Sequence, residues 1–130
     1  MNLAQPDTRV ALGRLGERLA REHLERAGYA IVERNFRCAA GELDLVVADA
    51  RALVFCEVKT RVAGAGRGSP GPLDAIGTAK RRRLRLLARE WLTGRAGNHP
   101  RRPEIRFDAV GVTVTPTGRL VALDHLEDAF

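Results

Sequence analysis

Aromatic side chains are scarce in this 130-residue chain, where one tryptophan, one tyrosine and four phenylalanines make up only 5%. With Trp91 expected in the core, so few rings argue against a single-strand nucleic-acid platform built on base stacking. Cysteine is also rare. Cys38 and Cys56 lack the spacing of a zinc or redox motif and no secretory context favours a disulfide, so both are read as reduced and structural. No apolar run approaches the roughly 20 residues that span a bilayer, and the N-terminal MNLAQPDTR has no signal-peptide core. A soluble, cytoplasmic protein without a membrane partner is expected. Of the 22 basic residues only two, Lys59 and Lys80, are lysines. In an arginine-biased chain a lysine can mark a need for a compact ammonium of tunable pKa, although two instances can also arise by coincidence.

What the chain has in excess is positive charge: 22 basic against 16 acidic side chains give a formal net charge of +6 and a pI near 10.6. Polyanions are the natural partners, held through phosphate contacts and counterion release. The length fits one domain over residues 1–130, built on a single core.

The most informative run is Gly41 to Arg61, GELDLVVADARALVFCEVKTR. Leu43–Ala48 and Leu53–Val58 are apolar, β-branched runs around a connection that contains Asp49, the pattern of a β-hairpin. A four-residue turn from Asp49 to Ala52 pairs Ala48 with Leu53 and Val46 with Phe55, and sets Asp44 opposite Glu57. Two carboxylates at that spacing repel unless something positive lies between them. Glu57 and Lys59, two residues apart, share a strand face, so Asp44, Glu57 and Lys59 converge, a pattern that suits Mg²⁺ with an incomplete oxygen cage. Cys56 should point to the opposite, core face. A lone Glu-x-Lys is common as an exposed ion pair. Here, however, the charges begin only at the end of the wholly apolar run Leu53–Cys56, as they would at the mouth of a buried strand.

Before this hairpin, Arg9–Ala27 reads as an amphipathic helix with Leu12, Leu15, Leu19, Leu24 and Ala27 near one face and Gly28 past its end. Glu17 lies close to the apolar side, near Gly13 and Gly16, where the helix can approach another element closely. Spacing alone favours a surface Glu17 paired with Arg14, Arg18 or Arg21. Tyr29–Asn35 reads as a strand, followed by a loop through Arg37 to Gly41. After the hairpin, the glycine- and proline-rich Val62–Leu73 is either a loop that closes over a bound strand or simply disordered. Asp74 can cap a helix running to Thr93, with a core stripe of Ile76, Leu84, Leu87, Ala88 and Trp91. Its other side carries Lys80, Arg81, Arg82, Arg83, Arg85 and Arg89, which suits either a polyanion grip or a solvated face. A polar linker, Arg95–Pro103, leads to a strand over Ile105–Val114, then a turn and a short strand over Arg119–Leu123. One helical turn is expected in the tail, Asp124–Phe130.

The order helix, strand, hairpin, helix, two strands, with Asp44 ahead of Glu57-x-Lys59, resembles the PD-(D/E)xK nuclease superfamily. Gly16-Glu17-x-x-Ala20, Gly28-Tyr29, Arg34-Asn35, Gly41-Glu42-Leu43-Asp44-Leu45, Phe55 to Arg61, Lys80 with its basic helix and Arg106-Phe107-Asp108 look like the YraN family of endonuclease-like proteins, over nearly the whole chain. No proline precedes Asp44, so the literal PD of the motif is absent. The resemblance implies an α/β fold of restriction-endonuclease-like type, a central mixed β-sheet flanked by two long helices in the order α-β-β-β-α-β-β. It implies a metal site of Asp44, Glu57 and the Val58 backbone carbonyl, with Lys59 as catalytic lysine. It also moves Glu17 from the surface reading to a helix-borne acid at the metal.

The activity so implied is Mg²⁺-dependent (or Mn²⁺-dependent) hydrolysis of DNA phosphodiester bonds, on duplex or branched substrates, with Arg61, Lys80, Arg81, Arg82, Arg85 and Arg89 holding the backbone. A four-way junction as substrate would call for a twofold homodimer, because two cuts must be placed symmetrically. The alternatives are a noncatalytic nucleic-acid-binding module that recruits processing partners, and a ribonuclease of the same fold.

Overall fold

The structure is a computed structural model that describes residues 9–64, 77–94 and 98–130. Its elements follow the order α1 (Arg9–Arg26), β1 (Ala30–Cys38), β2 (Gly41–Ala48), β3 (Ala52–Val62), α2 (Thr78–Gly94), β4 (Glu104–Val114) and β5 (Leu120–Leu126). The strands make one mixed sheet in the spatial order β1-β2-β3-β4-β5, antiparallel throughout except for the parallel pair β3–β4. This is the expected α-β-β-β-α-β-β architecture. Val62–Leu73 lies largely outside the described residues, as do Asp74, Ile76 and the start of the Arg95–Pro103 linker.

Alternation along β3 and β4 sorts the core into two layers. Val54, Cys56, Val110 and Val112 pack with Ala20 and Leu24 of α1, whereas Leu53, Phe55, Phe107 and Ala109 pack with Leu84, Leu87 and Trp91 of α2. The aromatic residues concentrate under α2, where Phe55 meets Trp91 edge-on at 5.7 Å and stacks on Phe107 at 5.6 Å.

α1 closes with a Schellman motif: Tyr29 N–H donates to Leu24 O and Gly28 N–H to Glu25 O, with Gly28 at φ +99°. Ala27 consequently lies beyond the helix and is exposed rather than on its apolar stripe. The buried positions of α1 are Gly16, Ala20 and Leu24, with Leu12, Leu15 and Leu19 only half-buried. The helix approaches the sheet through its small residues: a Cβ built on Gly16 would overlap Thr60 Oγ1 on β3. Gly13 has no such neighbour among the described residues.

Three other expectations need correction. β1 does not stop at Asn35 but continues to Cys38, because Asn35 takes a left-handed backbone (φ +53°) that kinks the strand without ending it. α2 begins at Thr78 among the described residues. The tail forms no helical turn over Asp124–Leu126, since those residues pair with Ala109–Gly111 and extend β5. Asp108 anchors this end. Fully buried, it accepts from Arg106 Nε and Nη2 (2.8 and 2.9 Å) and from Asp128 N–H (3.0 Å), and lies 2.8 Å from His125 Nε2. Burial alone would raise its carboxyl, but these partners hold it below the usual range.

Candidate functional site

The charged residues singled out in the sequence gather where β2 parts from β3. The two strands pair as expected, Ala48 with Leu53 and Val46 with Phe55, but the ladder ends at Leu45–Cys56, one pair short of Asp44 and Glu57. At this fork the alternation of β2 breaks: Leu43 packs in the layer under α2 and Leu45 in the layer under α1. Asp44 between them bridges the gap, its Oδ2 accepting Val58 N–H at 2.8 Å. Val58 therefore enters the site through its N–H.

The close approach at Gly16 brings the next residue, Glu17, down to the same place. Oxygens of Glu17, Glu42 and Asp44 lie within 4.8 Å of one another. Asn35, at its kink on β1, supports two of them; with its amide nitrogen turned to the carboxylates it donates to Glu42 Oε1 at 2.9 Å and to Glu17 at 3.0 Å. Glu42 is also paired with Arg37 at 3.5 Å. Burial and the Glu57 charge push the Asp44 carboxyl up to about 7 against the pull of the Val58 N–H. Burial and Glu42 likewise raise Glu17. Crowded hard oxygens, with the Asp44 and Glu17 carboxyls raised, are a donor set that fits a divalent cation.

Glu57 stands next to this group and faces two ammoniums. Lys80 Nζ lies 2.7 Å from Glu57 Oε1 and Lys59 Nζ 3.7 Å from the same oxygen. The two lysines differ in access, the Lys80 side chain being 16% exposed and that of Lys59 45%. Contact with Lys80 is the main influence that lowers the Lys59 pKa, with burial second. A cleft of about 280 Å³ opens over these groups, lined by Glu42, Asp44, Glu57, Lys59, Lys80 and Arg83 among others.

Of the sequence candidates, Glu17, Asp44, Glu57 and Lys59 come together. Lys80 does not lie on the outer basic band where the sequence set it. One helical turn before the buried Leu84, it points down into the cleft as the counterion of Glu57. Arg81, Arg82, Arg85 and Arg89 are exposed on α2 as expected, although Arg85 also donates to Phe130 O at 2.9 Å and lies over the Phe107 ring. Arg61 is half-buried on β3, two residues beyond Lys59. Glu42 had no role in the sequence reading. Its signal was there in Glu42-x-Asp44, two carboxylates one strand period apart.

The model of the uncharacterised protein family UPF0102 matches residues 16–112, a span that contains every carboxylate of the cluster and both lysines. The chain belongs to this family. It is the YraN family that the sequence resembles. Among its relatives, the UPF0102 protein of Streptomyces griseus is 50% identical over 115 residues (86% of this chain, 90% of the relative). That of Frankia alni is 48% identical over 121 residues, covering 92% and 94%. The Nocardia farcinica member is 46% identical over 128 residues, covering 98% and 95%.

Proposed function

We propose that this UPF0102 protein is a metal-dependent nuclease that hydrolyses DNA phosphodiester bonds. The observation that carries the reading is the convergence of three carboxylates, Glu17, Glu42 and Asp44, beside a Glu57 already faced by two lysines. Such a group repels itself in water and is stabilised by a divalent cation, Mg²⁺ or Mn²⁺, which together with the lysines would attract a phosphate. Glu17, Glu42 and Asp44 would hold the cation, with Glu57 and the Val58 carbonyl next to it. When bound, the cation lowers the pKa of water and offsets charge on the phosphate.

The rest falls to the chain itself. Lys59, exposed and with a lowered pKa, orients the attacking water and meets charge that builds on the phosphate. Val58 N–H fixes the Asp44 rotamer, and Lys80 holds Glu57 in place. Arg81, Arg82, Arg85 and Arg89 steady the flanking backbone, with Arg61 closer to the cut.

The test is cleavage of labelled duplex, single-stranded, flapped and four-way-junction DNA, and of RNA, with Mg²⁺ or Mn²⁺. Wild type should cut at least one DNA, and Lys59→Ala should be slower by at least about 100-fold. No cutting of any substrate by wild type sinks the proposal, while cutting of RNA alone makes the protein a ribonuclease. One feature favours a noncatalytic binding module instead: Glu57 is already neutralised by Lys80. DNA binding without cleavage, unchanged in Glu57→Ala, would establish that second reading.

A further inference from the structure

We propose that the cleft between α1 and β1 is a second backbone grip, which holds nucleic acid on the far side of the carboxylate cluster from α2. The inference rests on the nuclease reading and adds the path of the substrate.

Arg14, Arg18 and Arg21 are spaced by four and three residues, so they stand on one side of α1. With Arg34 of β1, Glu17 and Asn35 they line a cleft of about 400 Å³. Among the described residues, four arginines therefore line the cleft with a single carboxylate, Glu17. Arg18 meets Glu22 at 3.6 Å in a pair exposed on both sides, a contact weak enough to yield to phosphate. Arginine suits the task better than lysine, since its planar fork matches two phosphate oxygens at once.

Position matters as much as charge. Glu17 and Asn35, which line this cleft, also belong to the carboxylate cluster, whose other members Glu42 and Asp44 line the cleft on the α2 side. Among the described residues none lines both clefts. The surface thus runs basic, acidic, basic, from the arginines of α1 through the carboxylates to Lys59, Lys80 and Arg83. A polyanion complements the two ends, and its crossing point is the cluster itself. A strand laid along this path has backbone held on both sides of the phosphate at the carboxylates. The substrate class is therefore a continuous polynucleotide engaged at an internal phosphodiester, with no need of a free end.

The experiment is fluorescence anisotropy of labelled duplex DNA in EDTA over a range of salt, so that affinity is read without cleavage. Four proteins are compared: wild type; Arg14→Gln/Arg18→Gln/Arg34→Gln on the α1 side; Arg81→Gln/Arg82→Gln on α2; and Arg101→Gln/Arg119→Gln outside both clefts. All seven positions are exposed, so the fold should persist, which circular dichroism verifies. The α1 triple should weaken binding about tenfold near physiological salt and flatten the log–log salt slope by about 3, as lost phosphate contacts do. The α2 double should add its own, separate loss, and the outlying double should leave the slope unchanged. A covalently closed circular duplex should compete as well as a linear one.

An α1 triple that behaves like wild type while the α2 double loses affinity overturns the second grip and leaves the nuclease reading intact. Equal losses from the outlying double also overturn it, because the attraction is then diffuse. Competition only by DNA with ends removes the internal engagement. A wild type that binds no DNA removes both readings together.

Discussion

Because burial and Glu57 push the Asp44 carboxyl up to about 7, the cation-free protein works against itself at neutral pH. A folded-state pKa above the unfolded one means that the native state binds more protons across the window between them. Stability should therefore fall as pH rises from about 4 through about 7. Asp44→Asn keeps an oxygen for Val58 N–H and removes the charge. Its metal-free melting temperature should exceed that of wild type at pH 8 by a few degrees and vary less across the window; a lower one contradicts the strained cluster. Asp108 has the opposite sign. Held below the usual carboxylate range by His125, Arg106 and Asp128 N–H, it contributes stability at pH values above that range, which is lost as pH falls through its folded pKa. Asp108→Asn strips the charge from a buried pair and should cost about 3–5 kcal/mol in urea unfolding at pH 7, with little further loss below pH 4. At this scale the sequence was readable where the partner is local. Glu57 and Lys59 declare each other by spacing. Lys80 did not, because its partner lies on another element, and a helical lysine among arginines looks like every other charge on that face.

The contact of α1 with β3 hinges on one missing side chain. In an open helix Gly→Ala would help by about 1 kcal/mol, but at Gly16 the added methyl meets Thr60. Gly16→Ala should therefore destabilise by about 1–3 kcal/mol, with partial recovery in Gly16→Ala/Thr60→Ala. It should also slow cleavage beyond what stability explains, since Glu17 follows directly. Equal stability of wild type and Gly16→Ala would show that the helix can stand off. Elements with a chemical full stop were legible: Gly28 ends α1 as its position after an apolar stripe predicts. β1 was not, because Asn35 suggests a turn while the strand absorbs the kink and continues. The tail misled for the same reason, since Asp124-His125-Leu126 has a helix-neutral composition and only pairing with β4 makes it a strand.

For the whole molecule, α/β architecture followed from the order of elements, yet the site draws on five of them, α1, β1, β2, β3 and α2, and no local pattern states which faces meet at a fork. A divalent cation that binds only the folded form should raise stability by about 2.7 kcal/mol at 100 times its dissociation constant. Calorimetry with Mg²⁺ and Mn²⁺ against EDTA should record the rise, and Asp44→Asn should abolish it; an unchanged melting temperature in wild type would remove the cation from the site.

The parallel pairing of β3 with β4 has a consequence in time. It joins Ala52 to Glu104 and Val62 to Val114, far apart along the chain, whereas α1, β1, β2 and β3 are joined by short connections. Closing that long loop is slow, so the N-terminal half should organise first and α2 should dock with β4 in a later phase. Glu17, Glu42, Asp44 and Glu57 all belong to the early half, and Lys80 arrives with the late one. A nascent protein thus passes through a stage in which its acids are assembled and their ammonium partner from α2 is missing. Added salt or divalent cation should speed the early phase in stopped-flow refolding and leave the later one nearly unchanged.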